Sequence, residues 1–431
     1  MSQQLKVDAL SSEGDGIGSL KGLKVFVPGA LPGEEVTFEM EDLKKNFAIG
    51  RLISVDSPSP HRVLPPCPIF GLCGGCQLQH LSYTEQLKVK QLRVKEALRR
   101  IGHLEVNVEE CRPSPSPFHY RNKIQLPLVW EQEGLKIGLY RRDSHEIIPI
   151  QACLIQSHEG EKILHKLKPL LQEEKTLRTL LIRTAKFTGE ALVVLVTSGG
   201  KDLKTLAYKI MEQLPEVKGV IENINTSENN VVLGSKWNTL AGAPYLEEKL
   251  LGKRFKISAG AFFQVNSEQA EALFSEAMKL ACLKKSDTVW DAYCGVGTLA
   301  LFAAEHVKHV FGTEAFDTAI EDAKKNARLN GVANATFQTA RAEDALSKLP
   351  QPDVIFLNPP RKGCAEKLMK QIIEKRVERV IYISCDPATL ARDLKTLVSG
   401  GYEICSIQPF DMFPQTTHVE TLVSLKACPT S

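Results

Sequence analysis

No stretch of the sequence approaches the ~18 consecutive apolar residues of a membrane span, and its opening residues, Met-Ser-Gln-Gln-Leu-Lys-Val-Asp, lack the basic-then-apolar pattern of a secretory leader. Together these absences predict a soluble, cytoplasmic protein without a membrane partner. Charge of one sign is lacking as well. The 54 Lys and Arg stand against 51 Asp and Glu, a formal charge of +3, so any nucleic-acid surface has to come from local patches. Neither an internal repeat nor a low-complexity run is present. The 11 cysteines are an odd number scattered along the chain, which suits a reducing compartment better than a disulfide framework. At 431 residues and 43% hydrophobic, the chain can form roughly three domains, each burying its own core.

Residues 1–56 read as short strands punctuated by glycine and proline, as in Glu13-Gly-Asp-Gly-Ile-Gly18 and Val25-Phe-Val-Pro-Gly29, a pattern that predicts a small β-barrel. Ser57-Pro-Ser-Pro60 and Pro65-Pro66 then stiffen a connector. Residues 57–258 read as a mixed α+β unit with an antiparallel or mixed sheet. It has a helix near 84–100, strands near 121–129, 179–184 and 191–197, and helices near 159–173 and 202–213. From 259 to 431 helix and strand alternate regularly, which implies a parallel, doubly wound, Rossmann-like sheet.

Two strand ends of that last unit carry chemistry. Val289-Trp-Asp-Ala-Tyr-Cys-Gly-Val-Gly-Thr298 puts a strand before a glycine turn and an apolar helix, with Gly295 and Gly297 letting the backbone approach a ligand. Glu314 ends the next strand about twenty residues on, where a carboxylate accepts from ribose hydroxyls. The third glycine of a pyrophosphate cradle is missing, which favours S-adenosylmethionine over NAD. Further on, Asp353-Val-Ile-Phe-Leu-Asn-Pro-Pro-Arg-Lys-Gly363 and Val380-Ile-Tyr-Ile-Ser-Cys-Asp-Pro387 bring Asn358 and Cys385 to the same sheet edge. A helix N-terminus follows Cys385 and is expected to favour its thiolate. The polar loop Asp411-Met-Phe-Pro-Gln-Thr-Thr-His-Val-Glu420 is expected to carry His418 and Glu420 into that crevice.

Five ordered motifs, Phe262-Phe-Gln-Val-Asn266, Asp291-Ala-Tyr-Cys-Gly-Val-Gly297, Asn326-Ala-Arg-Leu-Asn330, Ser384-Cys-Asp-Pro-Ala-Thr-Leu-Ala-Arg-Asp393 and Asp411-Met-Phe-Pro with His418-Val-Glu420, resemble the RNA 5-methyluridine methyltransferases along the whole chain. The ribosomal-RNA members are the nearest in pattern. The resemblance implies that Gln264, Tyr293, Glu314 and Asn358 hold S-adenosylmethionine and the adjacent base, that Cys385 is the nucleophile and that Glu420 is the general base. Those residue types suit the reaction. A thiolate adding to uracil C6 makes C5 an enolate carbon able to take a methyl group, and a carboxylate must then remove the C5 proton before the cysteine leaves. The family usually has aspartate where this chain has Asn358, which exchanges a charge-assisted acceptor for a neutral amide.

Cys67, Cys73 and Cys76, spaced C-x5-C-x2-C, offer three thiolates, and Cys153 is the candidate fourth. Spacing alone leaves iron-sulfur and zinc open; the resemblance assigns a [4Fe-4S] cluster, acting as a fold staple. By the same resemblance residues 1–56 form a TRAM domain, an OB-like RNA-binding barrel. Lys44, Lys45 and the aromatic-basic run Phe118-His-Tyr-Arg-Asn-Lys123 are candidate RNA contacts. The implied substrate is an unstacked uridine in a loop or single strand of RNA, of 23S rRNA by resemblance, acted on by a monomer. The alternatives are a tRNA uridine C5 methyltransferase, an exocyclic-amine methyltransferase built on Asn358-Pro-Pro, and a non-catalytic iron-sulfur RNA-binding protein.

Overall fold

The computed structural model describes residues 2–132, 134–227 and 231–429. At the N-terminus, strands Ser2–Leu10, Gly16–Leu20, Leu23–Val27, Phe47–Ser57 and Glu35–Leu43 close in that order into a barrel. Alternate side chains, among them Leu5, Val7, Val25, Val27, Val36 and Phe38, fill its interior, the two-residue period of half-buried strands. A buried carboxylate ties the barrel to the proline-rich connector. Glu34 accepts from the amides of Leu31 at 2.8 Å and Ser59 at 3.1 Å and from the Arg62 guanidinium at 2.6 Å.

The next sheet has seven strands, in the order Lys236–Gly242, Val217–Ile224, Ala191–Thr197, Leu177–Thr184, Lys123–Glu131, Gly134–Tyr140, Ile147–Pro149. It is mixed, with Ala191–Thr197 and Val217–Ile224 running parallel and the other neighbours antiparallel. Ala191–Thr197 is buried at every position, because helices His158–Leu170 and Lys204–Gln213 cover one face and the C-terminal unit covers the other. On that second face Leu181, Leu192 and Val194 share one core with the hairpin Tyr245–Leu250 and Lys253–Ser258, with helix Ser267–Ala281 and with Val289 and Phe356. Packing is therefore continuous across residue 258.

The C-terminal sheet runs Ala335–Thr339, His309–Glu314, Thr288–Asp291, Val354–Leu357, Arg379–Ser384, Glu420–Ala427, Tyr402–Phe410. Its first five strands are parallel and its last two antiparallel. Strand order reverses beside Thr288–Asp291, and a ligand crevice opens at such a switch point. Two strands escaped the sequence reading. Ala335–Thr339 is an edge strand with one buried residue, and Tyr402–Phe410 loses its alternation at a bulge between Ile404 and Ser406. The helix expected near 84–100 runs Tyr83–Ala97 and ends in a π-helical turn, Leu98–Gly102. No helix among the described residues is long and apolar enough to cross a membrane.

Candidate active site and its cofactor cleft

Thr288–Asp291 ends in a turn at which Gly295 and Gly297 adopt φ +53° and +89°, a left-handed backbone that favours glycine. Around Gly295 a Cβ would meet nothing within 4 Å, so the open space there is available to a ligand. The turn forms one wall of a cleft with about 410 Å³ of free space, lined also by Phe262, Gln264, Tyr293, Thr298 and Asn358. Three of the four residues expected at the cofactor, Gln264, Tyr293 and Asn358, thus share one cavity. Glu314 stands at the end of the neighbouring strand, close enough for its charge to act on Asp291 and Cys294, while one of its oxygens accepts from the Ala315 amide at 2.7 Å.

Asp291 faces the same cleft and was not singled out from the sequence. One of its oxygens accepts from the Ala300 amide at 3.0 Å, and the other is buried without a partner. Burial raises its pKa to about 7. A buried carboxylate lining a cleft beside a glycine turn fits the α-ammonium group of S-adenosylmethionine. Its place at the strand end, immediately before the turn, was the signal that pointed to it.

Strand Arg379–Ser384 pairs antiparallel with Glu420–Ala427, Ser384 lying opposite Thr421. Cys385 directly follows Ser384 and Glu420 directly precedes Thr421, and the Glu420 charge is near enough to act on the Cys385 thiol. Burial raises the Glu420 carboxyl to about 8. The Cys385 thiol is pushed up to about 11, mainly by burial and then by the Glu420 charge, against the lowering influence of Arg361. This corrects the expectation of a helix-stabilised thiolate. Asp386 caps the following helix and accepts from the amides of Ala388 and Thr389, both at 2.9 Å, so the helix terminus is already satisfied by a carboxylate that itself raises the thiol.

The loop between strand Tyr402–Phe410 and Glu420 is clamped from several sides. Lys90 pairs with Asp411 where both side chains are fully buried, and donates to the Phe413 carbonyl at 3.0 Å. Tyr120 donates to the Pro414 carbonyl at 3.0 Å and Arg93 to that of Thr417 at 2.6 Å. The amides of Gln77 and Leu78 both reach the Gln415 carbonyl at 3.0 Å. His418 lies 3.5 Å from the Arg361 guanidinium, and burial followed by Arg361 and Arg93 holds it neutral, near 4.

The four cysteines expected to bind a metal lie in one neighbourhood. After burial, the thiols of Cys153, Cys73 and Cys67 each help raise Cys76 to about 12. They do not converge into a coordination shell, since no group of three or more His, Cys, Asp or Glu among the described residues is arranged to hold a metal ion. Their thiols are free. The expected metal site on these four cysteines is therefore not shown.

The family model for tRNA (uracil-5-)-methyltransferase matches residues 82–428, and that for the TRAM domain matches residues 2–53. The chain belongs to the RNA (uracil-5-)-methyltransferase family, and is an S-adenosylmethionine-dependent enzyme with an N-terminal TRAM barrel. It is 43% identical to an uncharacterised RNA methyltransferase of Halalkalibacterium halodurans, over 98% of this chain and 96% of the relative. It is 41% identical to one of Clostridium tetani, over 97% and 95%. Among solved structures, the Pyrococcus abyssi tRNA (uracil-54, C5)-methyltransferase in complex with S-adenosyl-L-homocysteine aligns with a TM-score of 0.79 at 29% identity, covering 98% of this chain and all of the archaeal one.

Proposed function

We propose that this methyltransferase modifies C5 of an unstacked uridine in 23S rRNA, acting as a cytoplasmic monomer, with Cys385 as nucleophile and Glu420 as general base. The observation that supports the reading is that Cys385 and Glu420 flank the paired residues Ser384 and Thr421, with the Glu420 charge acting on the thiol, while Gln264, Tyr293 and Asn358 share one cleft. S-adenosylmethionine supplies an electrophilic methyl group when bound. Asp291, with its unpartnered buried oxygen, together with Gln264, Tyr293 and Glu314, would hold it. Cys385 adds to C6 as its thiol proton passes to solvent water, and the ring electrons pass to C5. After methylation Glu420 takes the C5 proton, and the returning electron pair expels the Cys385 thiolate. Asn358 offers its carbonyl to N3–H and its amide to a ring oxygen.

A tRNA uridine is the second reading, favoured by the archaeal enzyme, which has the same layout over nearly the whole chain. Methyl transfer from tritiated cofactor to 23S rRNA and tRNA transcripts decides between them. A denaturing gel of 5-fluorouridine RNA with the protein tests the chemistry, because fluorine at C5 blocks the final elimination; a Cys385→Ala variant that still forms the adduct would sink it. Transfer to an exocyclic amine would promote the amine reading instead.

For Cys67, Cys73, Cys76 and Cys153 we propose ligation of a [4Fe-4S] cluster. An all-thiol donor set in which Cys153, Cys73 and Cys67 are each near enough to raise Cys76 fits a cation that would take them as thiolates. Methyl transfer needs no electron from it, so its role is to hold the segment whose next two amides grip Gln415. Anaerobic protein without a broad band near ~400 nm, and with stoichiometric zinc, would overturn this assignment.

A further inference from the structure

Strands Lys123–Glu131 and Leu177–Thr184 pair so that Lys123 lies directly opposite Arg183. Like charges at opposed positions destabilise an antiparallel pair. The Arg183 side chain is buried, its Nη2 donates to the Ala261 carbonyl at 2.6 Å, and its Nε is buried without an acceptor. The carboxylate that acts on it, Asp322, is engaged by the Ser258 hydroxyl at 2.8 Å. Burial and the charges of Arg183 and Arg121 lower Lys123 to about 8. Arg121, two residues before Lys123, turns its Nε to the Lys123 carbonyl at 2.9 Å.

The direction of this cluster follows from the two-residue period of the strand. Leu181 shares a face with Arg183 and belongs to the core joined to the C-terminal sheet, so the charge pair faces that unit. Ala261, which Arg183 holds, precedes Phe262, an exposed aromatic at the mouth of the cofactor cleft. Arg121 is near enough to the catalytic loop to act on His418.

We propose that Lys123 and Arg183, with Arg121 at the rim, form a receptor for a backbone phosphodiester of the RNA strand next to the nucleotide entering the crevice. This site rests on the RNA reading above and adds its phosphate contact. An anion between the two cations removes their repulsion and gives the spare Nε–H its acceptor, and in a partly buried setting that attraction is screened little by salt. Arg183 supplies a fixed, directional donor and Lys123 a movable charge. The other anion within reach is the carboxylate of the cofactor, whose cleft neither residue lines.

The test is Lys123→Gln, assayed for RNA binding across salt concentrations, for cofactor binding and for thermal midpoint. The expected result is RNA affinity down about tenfold, a salt slope shallower by about 1, unchanged cofactor affinity and a midpoint no lower than wild type. A neutral methylphosphonate at the phosphate flanking the target uridine should weaken wild type similarly and leave Lys123→Gln no weaker. Unchanged affinity and slope in the variant, or a loss of cofactor affinity instead, overturns the proposal. So does a methylphosphonate loss that adds in full to the loss in the variant. Wild-type protein that shows the expected salt slope yet forms no 5-fluorouridine adduct defeats the catalytic reading while supporting the phosphate site.

Discussion

Replacing Glu420 by glutamine keeps the size of a fully buried side chain and removes only its capacity to take a proton. If Glu420 is the base that clears the C5 proton, Cys385 can still add and the methyl group can still arrive, but the adduct has no exit. General-base removal typically costs about 10²–10⁴ in rate, so Glu420→Gln should show a burst approaching one methyl per enzyme, then turnover slower by that factor, with methylated RNA attached to Cys385 on a denaturing gel. The raised carboxyl adds a pH signature. With a pKa of about 8, the base form gains about tenfold per pH unit below that value, so wild-type turnover should climb up to pH ~8 and then level, whereas the variant stays flat. Stability runs the opposite way. The folded carboxyl holds its proton more tightly than the unfolded one, so its contribution is fully present below pH ~4.5 and is lost as the pH rises to about 8. At 1.36 kcal/mol per pH unit that interval corresponds to at most about 5 kcal/mol, so Glu420→Gln should unfold at higher temperature than wild type at pH 9 and near the same temperature at pH 5. A variant that turns over within tenfold of wild type, or that never forms an adduct, refutes the role.

Cys385→Ser should abolish the 5-fluorouridine adduct while calorimetry finds cofactor affinity within about twofold; loss of cofactor binding would place Cys385 in the cleft instead. Asn358→Asp should raise kcat/KM for uridine RNA by about five- to thirtyfold, the 1–2 kcal/mol by which a charged acceptor exceeds a neutral one, and an unchanged or lower value would remove Asn358 from the base. Lys90→Met leaves Asp411 buried and unpaired, so denaturant unfolding should register a loss of about 3–5 kcal/mol. The same variant should lower kcat more than cofactor affinity, because the loop that Lys90 clamps carries Glu420.

Apart from Ala335–Thr339 and Tyr402–Phe410, the alternation of strand and helix after residue 259 was legible because short apolar strands there are set between amphipathic helices, and the cofactor turn because glycine at positive φ has few substitutes. The nearness of Cys385 to Glu420 was only partly legible. The order of motifs brings both to one edge, but how near they come depends on the register between Arg379–Ser384 and Glu420–Ala427, which one sequence does not encode locally. Lys123 was already a candidate RNA contact in the run Phe118–Lys123, but its pairing with Arg183, sixty residues away, was hidden for the same reason. The thiolate expected at Cys385 failed on a capping detail: the acid that follows it takes the amides that were expected to stabilise the sulfur.

That failure changes how the nucleophile has to work. In the free protein burial, Glu420 and Asp386 all raise the Cys385 thiol, and among the named influences Arg361 is the charge that lowers it. With His418 held neutral beside Arg361, the guanidinium keeps its full charge for the crevice. On the proposed chemistry, negative charge first gathers on the sulfur, and Arg361 lies close enough to the sulfur to act on that stage. A thiol held protonated in the free protein is shielded from capture by soft ions or oxidants. Arg361 follows directly on Asn358-Pro-Pro, where amine methyltransferases place an aromatic. An arginine there has no amino group to stack upon, but it does have a thiolate to stabilise.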